Sequence, residues 1–408
     1  MKRNGLLIAG GVFFLLAAVR WITDNPDLTS SGTFATTLRL AVPIGLAALG
    51  GLYAERSGII NIGLEGMMIL GSWFGAWGAW HYGPWWGVAI GVLGGMAAGL
   101  LHATATVTFG VDHIISGVAI ITLAGGIARY LSVEVYEGVQ GGGATQSPRV
   151  EGVGTLDVPI LAGGDLFGWQ SPDMLGWIED KSWLFVSDLA GLLRGFTHSL
   201  SYLTLIALLL VPFTWWLLWR TVFGLRLRSC GENPTGADSL GVPVYRMRYA
   251  AVLISGALAG LAGAFLAIEA AGIYRQGQTG GRGFIGLAAM IFGNWMPFGA
   301  AAGAGLFGFA DALQLRERPA VHALLLFVAL AAVFYAVLLL KQGRRTQAAV
   351  IAVLGVLIGL WYFTTDKVQP EFVQATPYVI TLLVLSVASQ RLRPPAAEGR
   401  PWRKGQVD

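Results

Sequence analysis

The sequence predicts an all-α integral membrane protein, a polytopic helical bundle of about 10–12 transmembrane segments. Three observations carry this expectation. Of 408 residues, 55% are apolar and 12% are charged, against ~25% charged in ordinary soluble domains. Apolar runs of the length that crosses ~30 Å of hydrocarbon recur along the chain. The 58 glycines suit membrane helices, which tolerate glycine better than soluble ones do.

Taken in order, Lys2 and Arg3 precede an apolar run at 5–20. No small-x-small cleavage site precedes Arg20 and Trp21, so the run is read as an uncleaved first span, with a cleaved signal as the second reading. Further spans are placed at 34–54, 62–80, 85–108, 113–132, 199–219, 249–268, 320–340, 347–364 and 373–390. The stretch 284–314 is glycine-rich, too long for one span and short for two. It reads as two short helices in a hairpin that breaks near Pro297. With no separate soluble domain and no clear repeat, 1–408 is read as a single transmembrane domain.

Charge orients these spans by the positive-inside rule. The basic N-terminus is placed in the cytoplasm, and the acid-rich loop 133–198 outside. The loop 220–248, with Arg220, Arg226, Arg228, Arg246 and Arg248, falls inside. Lys341, Arg344, Arg345 and the basic tail 391–408 also fall inside, provided that 284–314 is a hairpin. Arg316 and Arg318 are then minor exceptions. The net charge of +4 and the arginines at segment ends indicate no nucleic-acid partner. The single cysteine, Cys230, allows no internal disulfide.

Enzymatic motifs are absent: no phosphate loop, no H-E-x-x-H and no G-x-S-x-G. The five histidines lack metal-ligand spacing, and no cofactor is expected.

Three stretches stand out. The first is "YAERSGIINIGLEGMM" at 53–68, which holds Glu55, Arg56 and Glu65 among Gly58, Gly63 and Gly66. Asn61 is placed to cap the next helix, with Glu65 in its first turn. One reading has Glu65 complement that helix's N-terminal dipole, worth ~0.3–1 kcal/mol. The other has Asn61 and Glu65 face a polar path, because charges at membrane depth usually line a pathway or pair with a partner. The second is "SCGENPTGADSLG" at 229–241, in the most basic inner loop. It reads as a short helix near 234–240, with Asn233 at the N-cap and Pro234 in the first turn. That is either a docking element or a solvated connector. The third is "SGALAGLAGA" at 255–264, where Gly256, Gly260 and Gly263 let helices approach closely within the subunit.

The blocks "ERSGIINIGLEGMMILGSW", "VDHIISGVAIITLAGGIARYL", "GENPTGADSLGV" with "ISGALAGLAGAFLAI", and "GRGFIGLAAMIFGNWMPFGAAAGAGLFGFADALQLR" resemble, in that order, the permease subunits of bacterial ABC importers. The branch is that of branched-chain amino acids, simple sugars and nucleosides, and the nucleoside or simple-sugar permeases are most similar. The closing "TPYVITLLVLSVASQRLRPPAAEGRPW" fits as well. The loop 133–198 is longer than the family pattern, and 317–370 adds about two spans.

The resemblance implies a subunit forming half of a translocation pathway in the bacterial inner membrane, multi-pass, with both termini cytoplasmic. It implies a second, similar permease as a heterodimer partner, a separate cytoplasmic ABC ATPase, and an extracytoplasmic substrate-binding lipoprotein. ATP hydrolysis would then belong to the partner. Gly231, Glu232, Asn233, Pro234, Ala237 and Gly241 would form the coupling helix that the ATPase grips. Asn61, Glu65, Gly58, Gly63 and Gly66 would lie beside the substrate path. Nucleosides lead the substrate reading, with simple sugars or branched-chain amino acids next. An ion-coupled secondary transporter and a non-transporting membrane scaffold are rival classes. The first would need deep acids, for which Glu65 and Asp311 are the candidates.

Overall fold

The computed structural model describes residues 2–166, 168–315, 318–365, 368 and 392–404, which form fifteen α-helices. These are α1 (Lys2–Thr23), α2 (Ser31–Arg56), α3 (Leu64–Tyr82), α4 (Pro84–Ala103), α5 (His113–Tyr136), α6 (Met174–Asp180), α7 (Val186–Gly195), α8 (Tyr202–Arg220), α9 (Val222–Glu232), α10 (Pro234–Ser239), α11 (Val244–Phe265), α12 (Arg282–Phe292), α13 (Pro297–Gln314), α14 (Arg318–Lys341) and α15 (Arg345–Thr364). Local chemistry sets several of their starts. Asp112 accepts the N–H groups of Ile114 and Ile115 at the head of α5. Ser201 and Thr221 do the same for α8 and α9, and Pro84 occupies the first turn of α4. Both α4 and α11 end in a π-turn, Thr104–Thr108 and Leu266–Ala270.

Among the described residues, seven helical segments are long and apolar enough to cross a membrane: Pro26–Arg56, Pro84–Thr108, His113–Tyr136, Tyr202–Arg220, Val244–Ala270, His322–Lys341 and Arg345–Thr364. Shorter apolar helices run over Gly10–Thr23 and Arg282–Phe292. The hairpin expected at 284–314 is present as α12 and α13. They turn through 293–296, and a Cβ on Gly303 would stand 3.0 Å from the Ala289 oxygen. The span expected at 373–390 lies outside the described residues. The inner loop 220–248 holds two helices, α9 and α10, where the sequence reading placed one.

The chain divides into two compact units. The first comprises 1–38, 156–200 and 309–381. Its core gathers Val19, Leu28, Leu313, Ala323, Leu324 and Leu326. In it, α14 and α15 pack together, with Gly355 against Ala329 and Ala332. The segment 156–200 carries a two-residue strand pair, Asp165–Leu166 with Trp169–Gln170, and the helices α6 and α7. Arg194 gathers it by pairing with Asp173 at 2.6 Å and Glu179 at 3.2 Å.

The second unit comprises 39–155, 201–308 and 382–408. Its centre is a three-helix contact of α3, α4 and α11. Gly260 on α11 lies so close to α4 that an added Cβ would stand 2.6 Å from the Gly91 oxygen. Gly256 meets Gly95 and Gly99 of α4, and Gly263 meets Met68 and Ser72 of α3. Backbone-to-backbone packing of this kind replaces hydrophobic drive where both solvent and interface are apolar.

Candidate functional site

The stretch 53–68 joins α2 to α3. Gly58 closes α2 in the left-handed region at φ +93°, which strains any L side chain. Its N–H donates to the Glu55 carbonyl at 2.8 Å. The chain then runs non-helically to Leu64. Gly63 sits against Gly117 and Gly66 against the Ile120–Ile121 backbone, so both allow α5 to come close. Two histidines brace the break. Ile60 donates its N–H to His113 Nδ1 at 3.2 Å, and its carbonyl meets His102 Nε2 at 3.1 Å. That pattern places the His102 proton on Nε2 and the His113 proton on the nitrogen that does not accept. The other His102 nitrogen, Nδ1, meets the Ser116 hydroxyl at 2.9 Å.

Asn61 does not cap α3. The helix starts at Leu64 with Gly63 at its N-cap and no side-chain cap bond. Asn61 is buried and turned inward, where Nδ2 donates to Ser255 Oγ at 2.9 Å. Two residues too early for a cap, it ties the break to α11 instead. Its Oδ1 is buried without a hydrogen-bond partner among the described residues.

The three charges of this stretch hold the short helix α12 at both ends. Glu65 is buried, and its carboxylate accepts the N–H of Gly281 at 2.9 Å and of Gly283 at 2.7 Å. Those donors belong to the first turn of α12, where backbone N–H groups lack helical partners and the dipole favours an anion. The complement to a helix N-terminus is therefore real, but the helix is α12, not α3. At the other end, Glu55 Oε2 accepts from Trp295 Nε1 at 2.6 Å. Arg56 donates to the Trp295 carbonyl at 2.7 Å through Nη2 and at 3.1 Å through Nε. Asn294 and Trp295 both hold positive φ in the turn between α12 and α13.

Between α11 and α12 the backbone is irregular. It is fixed on one side to 143–150: Gln276 N–H donates to Thr145 O at 2.8 Å, and Ser147 N–H to Tyr274 O at 3.1 Å. On the other side it follows α3. Gln278 Nε2 donates to the Ser72 hydroxyl, and Gly281 reaches Glu65. Ser72 and Glu65 lie ~10 Å apart along the helix axis, so 278–281 descends about that far beside α3. Non-helical backbone at membrane depth is tolerated only where protein buries it or a cavity receives it.

The third part of the site is α9, α10 and the C-terminal strap 392–404. Asn233 caps α10, with Oδ1 accepting the Gly236 N–H at 2.8 Å. Gly231 packs on the Arg56 carbonyl and the Gly58 nitrogen, and Ala237 is buried with Cys230, Val244 and Trp402. Gly241 turns the chain out of α10 at φ +80°. Pro234 is half-buried, while Glu232 and Ser239 are exposed and Leu240 is 86% exposed. The strap is a folded part of this region. Ala397 N–H donates to Gly231 O at 2.8 Å and Gly399 N–H to Gly58 O at 3.0 Å. Arg393 N–H donates to Asn294 Oδ1 at 2.8 Å, and Ala396 N–H to Glu232 Oε2 at 3.3 Å. Trp402 is buried and donates to Thr235 Oγ1 at 3.2 Å. Basic composition alone concealed this docking; the apolar Trp402 and the Ala-Ala pair at 396–397 are the signal that could have found it.

No cluster of three metal-ligating side chains occurs among the described residues.

A bundle of long apolar helices, with a half-length helix clasped at both ends and an irregular segment leading into it, defines a multi-pass membrane protein. The chain belongs to the family described as branched-chain amino acid transport system / permease component, which it matches over residues 33–316. It is 32% identical to the guanosine ABC transporter permease protein NupQ of Bacillus subtilis, covering 91% of this chain and 96% of that one. It is also 32% identical to the nucleoside ABC transporter permease protein NupC of Lactococcus lactis, with the same coverage. A putative glucose ABC transporter permease protein, TsgC13 of Haloferax volcanii, is 31% identical over 90% of this chain and 96% of its own. No solved structure matches.

Proposed function

We propose that this chain is the permease subunit of an ATP-driven nucleoside importer and forms half of its translocation pathway by alternating access. The observation that carries the reading is its near end-to-end similarity to relatives named as guanosine and nucleoside ABC permeases. In this reading the protein sits in the cytoplasmic membrane with both termini inside. It pairs with a second, related permease, takes substrate from an extracytoplasmic binding lipoprotein, and relies on a separate cytoplasmic ATPase. The exposed tip of α10 at Ser239–Leu240 is the ATPase contact, and Gly231 and Ala237 hold that helix in place. Gly58, Asn61, Gly63, Glu65 and Gly66 shape the pathway by positioning the break before α3 and the start of α12. Sugar import is the second reading, favoured by the glucose-named relative.

The test is purification of the assembled complex with its binding protein, mass spectrometry of the co-purified ligand, and ATP-dependent uptake in vesicles. Nucleoside in the complex and nucleoside uptake are expected. A hexose in both would install the sugar reading, and uptake independent of ATP would overturn the ABC reading.

A further inference from the structure

A cavity of about 210 Å³ lies between the irregular segment 274–279 and helices α3 and α5. Its polar wall is Ser72, Tyr274, Gln276, Gln278 and Thr279, and Ile69 and Ala128 supply apolar surface. Arg275 is the one charged group in the lining, and no carboxylate contributes. Pockets for drug-sized ligands run ~300–1,000 Å³, so this one suits a single small solute.

The wall is built, not incidental. Gln278 is held in place twice: Oε1 accepts the Arg275 N–H at 2.9 Å, and Nε2 donates to Ser72. The Ser147 hydroxyl fixes the Tyr274 backbone by accepting its N–H at 2.9 Å. Gly277 turns at φ +78° and Gly281 at φ +78°, so the segment follows a path that side-chain-bearing residues resist. Glu65 pins its lower end through Gly281.

We infer that this cavity is a recognition station for an uncharged, hydroxyl-bearing solute of the nucleoside class. The inference rests on the importer reading above. Amides and hydroxyls offer both donors and acceptors, which match ribose hydroxyls and base edges. A zwitterionic amino acid fits worse: its carboxylate could meet Arg275, but its ammonium would find no anion in the lining. Glu65 acts here as a positioning residue, because it touches the segment and not the cavity.

The experiment uses the complete complex in vesicles, with uridine as the probe. A Gln276→Cys substitution in a Cys230→Ser background leaves the Gln276 backbone bond to Thr145 intact. Its maleimide labelling should slow about threefold at uridine concentrations twice the dissociation constant, and not with glucose or leucine. Ser72→Ala and Gln278→Ala should each cut uridine uptake about tenfold, the scale of one hydrogen bond, in complexes that co-purify with all partner subunits. If the parent imports uridine while labelling at 276 is unaffected and both alanine variants transport at the parental rate, the cavity assignment is wrong and the importer reading survives. If the parent imports glucose instead, and glucose alone slows labelling, the nucleoside class fails together with the proposed function.

Discussion

Glu398 of the C-terminal strap hydrogen-bonds Glu55 at the end of α2, carboxyl to carboxyl. Such a bond needs one proton between the two groups. Glu55 also receives Trp295 Nε1–H, so the pair joins the strap to the turn between α12 and α13. Burial raises the Glu398 carboxyl above its ordinary 4.5, against the opposing pull of the Glu55 hydrogen bond and the Arg56 charge.

The sign of the pH effect follows. A raised carboxyl stabilises docking while protonated, and that stabilisation is lost as pH rises through its folded value. Trypsin cleavage in the strap after Arg403, which unlike Arg393 and Arg400 is not followed by proline, should therefore accelerate as pH rises above the ordinary carboxyl value of 4.5, beyond the protease's own pH response. Glu398→Gln stays neutral, serves as the reference for that response, and should keep the strap docked throughout. Equal pH profiles for the two proteins would sink the prediction.

Replacing Glu65 should affect stability before chemistry. Glu65→Leu leaves the part-buried Gly281 and the buried Gly283 N–H groups without their acceptor, a loss of about 2–6 kcal/mol at 1–3 kcal/mol per unsatisfied group. Glu65→Gln keeps one acceptor and should lose roughly half. Thermal unfolding of the purified complex measures both, and uptake should fall in the same order. A Glu65→Leu protein as stable as the parent would show that α12 does not depend on this anchor.

At α10, two neighbouring substitutions should separate. Leu240→Ser alters an 86% exposed side chain, so unfolding should shift by no more than about 0.5 kcal/mol. Under the proposed function it should still lower binding-protein-stimulated ATPase activity. Trp402→Ala opens the cluster around Cys230, Ala237 and Val244, at about 3–5 kcal/mol. The reverse pattern, with Trp402→Ala silent in unfolding and Leu240→Ser destabilising, would remove the strap from the support of α10.

The proposed orientation places 141–150 outside and 341–346 inside. In the Cys230→Ser background, a cysteine at Ala144 should label from outside and one at Gln342 should not. The native thiol is a poor target in any case, since burial pushes Cys230 up to about 11. Labelling at 342 alone would invert the topology.

Where sequence succeeded, the signal was local. The charge-poor runs, the break at Pro297 and the cap at Asn233 each declare themselves within a few residues. The rest was hidden by sequence separation. Nothing near Glu65 indicates that its donors are Gly281 and Gly283. Nothing near Glu55 and Arg56 points to Trp295. Asn61 was misplaced for a different reason. Its residue type suits a cap, but the helix begins only at Leu64, and a serine on α11 offered a buried partner instead.

The glycine contact of α11 with α3 and α4 has a mechanical meaning. Helices meshed backbone to backbone, with Gly260 against Gly91 and Gly263 against Met68, have no side-chain layer to shear or repack. The three therefore behave as one stiff lever. Its short arm is α11, which starts just beyond α10, and its far points are Glu65 and Ser72 on α3. Under the proposed function, a displacement at α10 is carried by this unit toward the segment 274–281.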